Sequence, residues 1–352
     1  MVKMSRQRIR YALSTDGAKL AWADAGSGPV IVKAANWLTH LEYDFESPVW
    51  RHWLEFFTDN FRLIRYDERG CGMSDWDADL TFARWVDDLE TVIDAAELRE
   101  PFTLLGVSQG AAVCVNYATR HPERVARLIL YGGYARGWAQ RNDPSAESEC
   151  RAIADLARVG WGRSNPAFRQ VFTSRFIPRG TAEQMEWFNE LCRKTTSPEN
   201  AARLLELRAN IDITPLLKDI RVPTLIFHER NDNVTPFAEG RHLAAGIPGA
   251  EFVELDSENH ILLRDEPAWS RFKDIVLEFV GASRGDGVFG SLSPREREVF
   301  SLMTEGLGNA DIAARLAISE KTVRNHVSNL FDKLGVWTRA QAIVFARDHG
   351  FR

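Results

Sequence analysis

The sequence is poor in the residues that staple or metallate small proteins: it has four cysteines in 352 residues. Cys71, Cys114, Cys150 and Cys192 are scattered, with no C-x-x-C pair and no clustered histidines. That excludes a disulfide framework and the usual zinc spacings, so neither metal nor cofactor is expected and a reducing compartment suits the chain. Long apolar runs are also missing. Lys3, Arg6, Arg8 and Arg10 are followed by no apolar core of signal-peptide length, and nothing later approaches membrane-spanning length. No membrane partner and a cytoplasmic location are therefore expected. The loop Asp67–Ser74 carries glycines, but in neither the G-x-x-x-x-G-K-[ST] spacing of a phosphate loop nor the G-x-G-x-x-G spacing of a dinucleotide loop. The glycines of Asp67-Glu68-Arg69-Gly70-Cys71-Gly72-Met73-Ser74 read as a tight surface turn rather than a phosphate cradle.

What is present is ordinary for a folded protein, with 45% hydrophobic and 26% charged residues. The length favours two domains, one large and one small. Net charge is −5, but from Ser291 onward nine Lys and Arg face seven Asp and Glu. A mildly basic tail on an acidic body is compatible with nucleic-acid binding at one end.

Strand and helix signals alternate along the body. Asp16-Gly17 between Ile9–Ser14 and Lys19–Ala23 predicts an antiparallel hairpin. Pro29–Lys33 reads as a buried strand whose exit is Ala34-Ala35-Asn36-Trp37-Leu38. Trp50, Trp53, Leu54 and Phe57 mark a helix before strand Phe61–Tyr66. A helix over Phe82–Ala96, strand Phe102–Leu105, a helix to Arg120 and strand Val125–Leu130 follow. Strand rhythm returns at Val222–Phe227 and Glu251–Leu255, before a helix ending near Val280. The fold class is α/β, a doubly wound sheet. Between about Trp138 and Ile211 the text is helical and carries Trp161, Phe168, Phe172, Phe176, Trp187 and Phe188, which predicts a lid.

The chemistry centres on Gly106-Val107-Ser108-Gln109-Gly110, placed between a strand and a helix. A serine at so sharp a turn is strained and exposed at a helix N-terminus, and the flanking glycines keep the backbones apart. An activated serine needs a base, and the base needs a carboxylate to orient it. Asp232 and His260 follow the serine in that order, each after a strand. Glu229 and Asp256 are rival acids and His228 and His242 rival bases, less well placed on the strand-then-loop pattern. Cys114 reads as core.

Over residues 1–281 these features resemble the α/β-hydrolase family. Leu130–Gly137 and Thr195–Asn200 further resemble a subgroup of hydrolase-like domains fused to bacterial regulatory modules. The resemblance implies Ser108 as nucleophile, His260 as base, Asp232 as its orienter, and the N–H groups of Gln109 and Trp37 as oxyanion donors. One departure stands out: the family's frequent His-Gly is Ala35-Asn36 here. Asparagine tolerates left-handed backbone but adds bulk where glycine allows close approach.

Residues 282–290 read as a glycine-rich linker, and a second domain spans 291–352. Ser293-Pro294-Arg295-Glu296 is a capping box with proline at the first helical position, and Gly306 ends that helix. Asp311–Leu316, a turn at Ala317-Ile318, and a helix from Ser319 to Leu334 form a helix-turn-helix, with a fourth helix over Thr338–Arg347. Leu292–Val299, Asn309–Ala313, Ile318–His326 and Lys333–Val336 resemble the LuxR-type (GerE-like) DNA-binding domain over its full length. The resemblance implies that Arg324, Asn325 and Ser328 read bases, while Lys321, Thr322 and Lys333 hold phosphates. Double-stranded DNA with two half-sites and a homodimer are the implied partners.

Together these readings lead to a one-component transcriptional regulator whose hydrolase-fold domain binds a small-molecule effector, such as an ester, lactone or carboxylate. The alternative is a serine esterase that processes its own effector. Ser108 is read first as the floor of the effector pocket and second as a nucleophile.

Overall fold

Asp16-Gly17 turns the chain between β1 (Arg8–Leu13) and β2 (Lys19–Gly26), an antiparallel pair running from Arg8 opposite Asp24 to Leu13 opposite Lys19. Gly17 sits at φ +86°, a conformation that costs a glycine little. The computed structural model describes residues 7–281, 289, 292–348 and 351.

The pair opens an eight-stranded sheet in the order β1-β2-β4-β3-β5-β6-β7-β8. The further strands are β3 (Val30–Lys33), β4 (Arg62–Tyr66), β5 (Phe102–Val107), β6 (Val125–Tyr131), β7 (Thr224–Glu229) and β8 (Glu251–Leu255). From β4 onward neighbouring strands are parallel. Helices in the crossovers cover a parallel sheet, so its central strands are apolar throughout rather than alternating. β5 is the clearest case, buried at all six positions. Each large apolar side chain there stabilises the fold by about 1.5–3 kcal/mol relative to exposure.

Two helix groups cover the sheet. In one, α1 (Arg51–Asn60) packs Trp53 against Trp269 and Phe272 of the helix Pro267–Val280, with ring centroids at 4.9 and 4.8 Å. The other contains α2 (Phe82–Ala95) and α3 (Gly110–Arg120), packed on each other. The helical stretch after β6 contains α4 (Pro144–Gly160), α5 (Ala167–Phe176), α6 (Ala182–Thr195) and α7 (Pro198–Ala209), followed by α8 (Thr214–Leu217). Three of its aromatics, Trp161, Phe172 and Phe188, are buried, and Phe176 and Trp187 are half-buried against the same core.

Sequence and structure differ in three places. The stretch 67–74 is a buried turn, not a surface one: Glu68, Arg69 and Cys71 are inaccessible. Its charges are internally matched, with Arg69 paired to Asp88 at 2.5 Å and to Asp16 at 2.9 Å. β7 runs on through His228 and Glu229, which had been expected in the following loop. A helix not foreseen, α9 (Phe237–Gly246), lies between β7 and β8. Gly240 interrupts its apolar pattern because a Cβ there would lie 2.4 Å from the His228 ring. The helix that closes the body, Pro267–Val280, is α10.

The C-terminal region has its own core. It consists of α11 (Pro294–Thr304), α12 (Asn309–Leu316), α13 (Glu320–Leu334) and α14 (Arg339–Asp348). Both halves of the Ser293/Glu296 capping box are formed. Ala317 at φ +52° makes the turn between α12 and α13, and Gly335 at φ +65° ends α13. Val299, Phe300, Ile312, Val323 and Leu330 form the centre of this core. The expected linker lies outside the described residues except for Phe289, which is buried in the C-terminal core against Phe300 and Phe351.

Candidate active site and DNA-reading helix

The elbow forms as its glycines require. Ser108 stands at φ +53°, and its N–H donates to the Tyr131 carbonyl at 2.9 Å, tying the turn to β6. A Cβ on Gly106 would come within 2.6 Å of Ala111 Cα, and one on Gly110 within 2.9 Å of the Ala35 carbonyl. A left-handed serine costs on the order of 1–3 kcal/mol and persists only where its surroundings dictate it.

On one side of the serine, Asp232 and His260 meet. Asp232 Oδ2 lies 2.6 Å from His260 Nδ1, and both side chains are buried. Asp232 Oδ1 accepts the N–H groups of Val234 and Thr235 at 2.7 and 3.1 Å. Burial pushes the Asp232 carboxyl up, but the His260 imidazole and its hydrogen bond outweigh burial and leave it below the ordinary range. His260 Nε2 is buried with no hydrogen-bond partner among the described residues. The Phe176 ring stands edge-on to the imidazole at 5.4 Å. Gly132, one residue after the carbonyl that holds Ser108, packs against it so closely that a Cβ there would sit 3.0 Å from His260 Cε1.

The rival residues have other surroundings. His228 Nε2 contacts the Thr235 carbonyl at 3.0 Å and lies 3.8 Å from Asp232. His242 contacts the Thr214 hydroxyl at 3.3 Å, and Asp256 is exposed. Glu229 is fully buried and its carboxyl is pushed well above the ordinary range, first by burial and then by the Asp232 charge. Glu229, Asp232 and His260 offer ligand atoms within 4.8 Å of one another. A metal ion there would have to strip the Asp232–His260 hydrogen bond and ionise Glu229, so the trio suits proton handling better than coordination.

The other side of the serine holds a different arrangement. The Trp37 N–H donates to the side-chain carbonyl of Gln109 at 2.8 Å, while Gln109 Nε2 donates to Glu68 at 3.1 Å. Arg208 Nη2 donates to both Glu68 oxygens at 3.1 and 2.9 Å, and its guanidinium lies 4.5 Å from the centre of the Trp37 ring and 5.2 Å from that of Trp85. Trp37 and Gln109 are thus brought together as expected, but with the Trp37 donor already engaged. Asn36 does not supply the left-handed residue of this segment. Leu38 does, at φ +61°, and Asn36 instead accepts from Lys33.

Ser108 and Gln109 line a cavity of about 100 Å³ together with Trp37, Phe172, Phe176 and Arg208. Glu68, Arg141 and Arg208 were not foreseen as site residues. Charged residues in an apparent surface turn and a helical insert read as solvated, and only their long-range pairing reveals them.

In the C-terminal region, Lys321, Arg324, Asn325 and Ser328 are exposed along α13. Arg324 pairs with Glu320 at 3.0 Å, and the Thr322 hydroxyl shares a 2.7 Å hydrogen bond with Ser319, the N-cap. Lys333 stands apart from the other expected phosphate ligands: its ammonium lies 2.7 Å from Glu296, the buried capping-box carboxylate of α11. That contact gives Lys333 a structural partner.

Residues 52–267 match the family described as serine aminopeptidase, S33, and residues 290–346 match the bacterial regulatory proteins, luxR family. The AB hydrolase superfamily protein YisY of Bacillus subtilis is 27% identical over 273 residues, 76% of this chain and 98% of that protein. An esterase from Exiguobacterium antarcticum shares the fold, with a TM-score of 0.65 at 24% identity over 77% of this chain and 98% of its own. The enol-lactonase from Burkholderia xenovorans LB400 has a TM-score of 0.63 at 25% identity, covering 77% of this chain and all of its own. Among the described residues no helix is long and apolar enough to cross a membrane. With a strained serine at a strand-to-helix elbow and a four-helix C-terminal core, the chain belongs to the serine aminopeptidase S33 family of α/β-hydrolases and carries a LuxR-type DNA-binding domain.

Proposed function

We propose that the protein is a one-component transcriptional regulator in which the hydrolase domain binds a small effector at Ser108 and thereby sets DNA binding by the C-terminal domain. The observation that carries this reading is the engaged oxyanion donor. Catalysis of acyl transfer needs N–H groups preorganised toward the developing oxyanion. Here the Trp37 N–H is spent on Gln109, while Ser108 still floors a cavity. Such a site holds a carbonyl-bearing ligand more readily than it turns one over. At the other end, Arg324 and Asn325 have the chemistry to take guanine and adenine edges, with Ser328 beside them and Lys321 and Thr322 on phosphates. LuxR-type two-fold pairing calls for a two-half-site operator.

A second reading is supported by the Asp232–His260 contact of 2.6 Å and the φ +53° serine. In it, His260 takes the Ser108 proton as the hydroxyl attacks an ester or lactone carbonyl. Asp232 holds the imidazolium, and water releases the acyl group. Slow turnover would make the signal self-terminating.

The test is retention of DNA from the protein's own genomic neighbourhood by the purified full-length chain, titrated with salt and with esters, lactones and acids that raise its melting temperature. Selective retention, weakened by Arg324→Ala and altered by such a compound, is expected. Equal retention of unrelated DNA, or indifference to every stabilising compound, refutes regulation by a ligand.

A further inference from the structure

Arg208 is the most unusual charge in the body. It is 8% exposed, and only Nη2 of its guanidinium meets a carboxylate; Nε and Nη1 are buried without a hydrogen-bond partner. Leaving donors of a charged group unpaired in a dry site is costly, and native interiors rarely do so without a function. Arg208 shares the Ser108 cavity with Arg141 and Arg175, and no Asp or Glu lines it. Glu68 pairs with Arg208 at 2.9 Å and Glu149 with Arg175 at 3.5 Å. Arg141 has no carboxylate partner among the described residues; it gives Nε to the Arg136 carbonyl and lies over Tyr134. The cavity wall therefore carries one uncompensated positive charge. The remaining wall is apolar, with Trp138, Ile153 and Leu205 beside the aromatics already named.

We infer that this cavity is a binding site for a small monocarboxylate with an apolar body, its carboxylate held by Arg208 and Arg141 and its body against the helical insert. The inference rests on the effector reading above and names the effector's chemical class. Guanidinium matches carboxylate in shape and in paired donors, and it is weakly hydrated enough to be used in a buried site. The site also explains how binding is felt. Arg208 is on α7 and reaches Gln109 through Glu68, so a second carboxylate competing for the guanidinium loosens the chain that ends on the Trp37 N–H.

The test uses the full-length protein, with butyrate and benzoate each titrated against its neutral amide. Binding is read by tryptophan fluorescence, since Trp37 and Trp138 line the cavity, and by melting temperature. Both acids are expected to bind at least tenfold tighter than their amides. Arg141→Gln should weaken the acids about tenfold and leave the amides unchanged. Arg208→Gln strands Glu68, so it is paired with Glu68→Gln, and the double variant should lose the preference for acids while keeping a cooperative melt. Equal affinity for acid and amide, no saturation by either acid, or indifference to both sets of variants overturns the inference. If neutral esters bind and alter DNA retention instead, the carboxylate site fails and the regulator reading stands. If the acids bind with the stated preference but never alter DNA retention, the site stands and the regulator reading fails.

Discussion

The two flanks of Ser108 are built to opposite standards. On the His260 flank an imidazole and a carboxylate are in contact at 2.6 Å, and the Asp232 carboxylate is steadied by two backbone N–H groups. On the Trp37 flank a donor is tied up by a side chain belonging to the elbow itself, and behind it stands a buried Glu68–Arg208 pair. Both flanks are buried and hydrogen-bonded, so they differ in what they are organised to receive. One leaves the second imidazole nitrogen of His260 free to take a proton, and the other ties the Trp37 N–H, Gln109 and Glu68 to one another while two Arg208 nitrogens stay unpaired. A fold can keep the geometry of a nucleophile while the electrostatic half of catalysis is turned inward.

The strongest way to break this comparison acts on the assembled flank. Asp232→Asn keeps the shape of the carboxylate but favours the wrong tautomer of His260. It should lower any hydrolysis of an activated ester such as p-nitrophenyl acetate by about 10³–10⁴-fold. Single-turnover release of p-nitrophenol checks this. A loss of less than about tenfold would mean that the Asp232–His260 contact is structural and that both flanks are silent.

A smaller effect, in the opposite direction, is expected from the closed flank. Gln109→Ala removes the acceptor from the Trp37 N–H while leaving Glu68 its ion pair with Arg208. One oxyanion donor is worth about 10²–10³-fold in kcat, and a donor freed without being repositioned should recover part of that, about tenfold or more. The comparison fails if kcat for the same ester does not rise in a variant whose melting temperature is unchanged.

The difference in legibility between the flanks has a physical cause. Ser108, Asp232 and His260 were legible as candidates because chain order, strand endings and turn glycines are local signals. The strands of the body sheet were readable for the same reason, through hairpin chemistry at Asp16-Gly17 and apolar runs such as Phe102–Leu105, though several of them, β2, β5 and β7 among them, run two or three residues further. Arg208, Glu68 and the side chain of Gln109, whose N–H alone was anticipated, meet from three separate elements, and nothing local distinguishes a solvated arginine from one stacked between Trp37 and Trp85. Lys333 illustrates the same limit in the C-terminal domain, where its partner Glu296 is 37 residues away. α9 was missed for a different reason: Gly240 breaks its apolar period to make room for the His228 ring, so packing overrode the pattern.

The smallest effect sharpens the comparison by pH. The loop behind Gln109 begins at Asp67, whose Oδ2 accepts the N–H groups of Leu41 and Met73 at 3.1 and 2.8 Å while Oδ1 is buried without a partner. Burial pushes this carboxyl from the ordinary 3.8 up to about 7. A raised carboxyl takes up its proton in the folded state first. The fold therefore loses stability as pH rises from about 4 to about 7 and loses no more from this group above that. Asp232 has the opposite sign: its contribution is present above its unfolded pKa and is lost only as pH falls through a folded pKa below the ordinary range. Glu229, on the other flank, is raised as well and has the same sign as Asp67, so it is the comparison of the wild type with Asp67→Asn that isolates the Asp67 contribution. Asp67→Asn mimics the protonated form, so its melting temperature should gain on the wild type as pH rises through this window, by about 2–4 °C for each kcal/mol removed. Melting curves of both proteins at pH 5, 6, 7 and 8 decide it. A difference that does not change with pH would mean that Asp67 is ionised throughout, and the closed flank would then owe its arrangement to the Glu68–Arg208 pair alone.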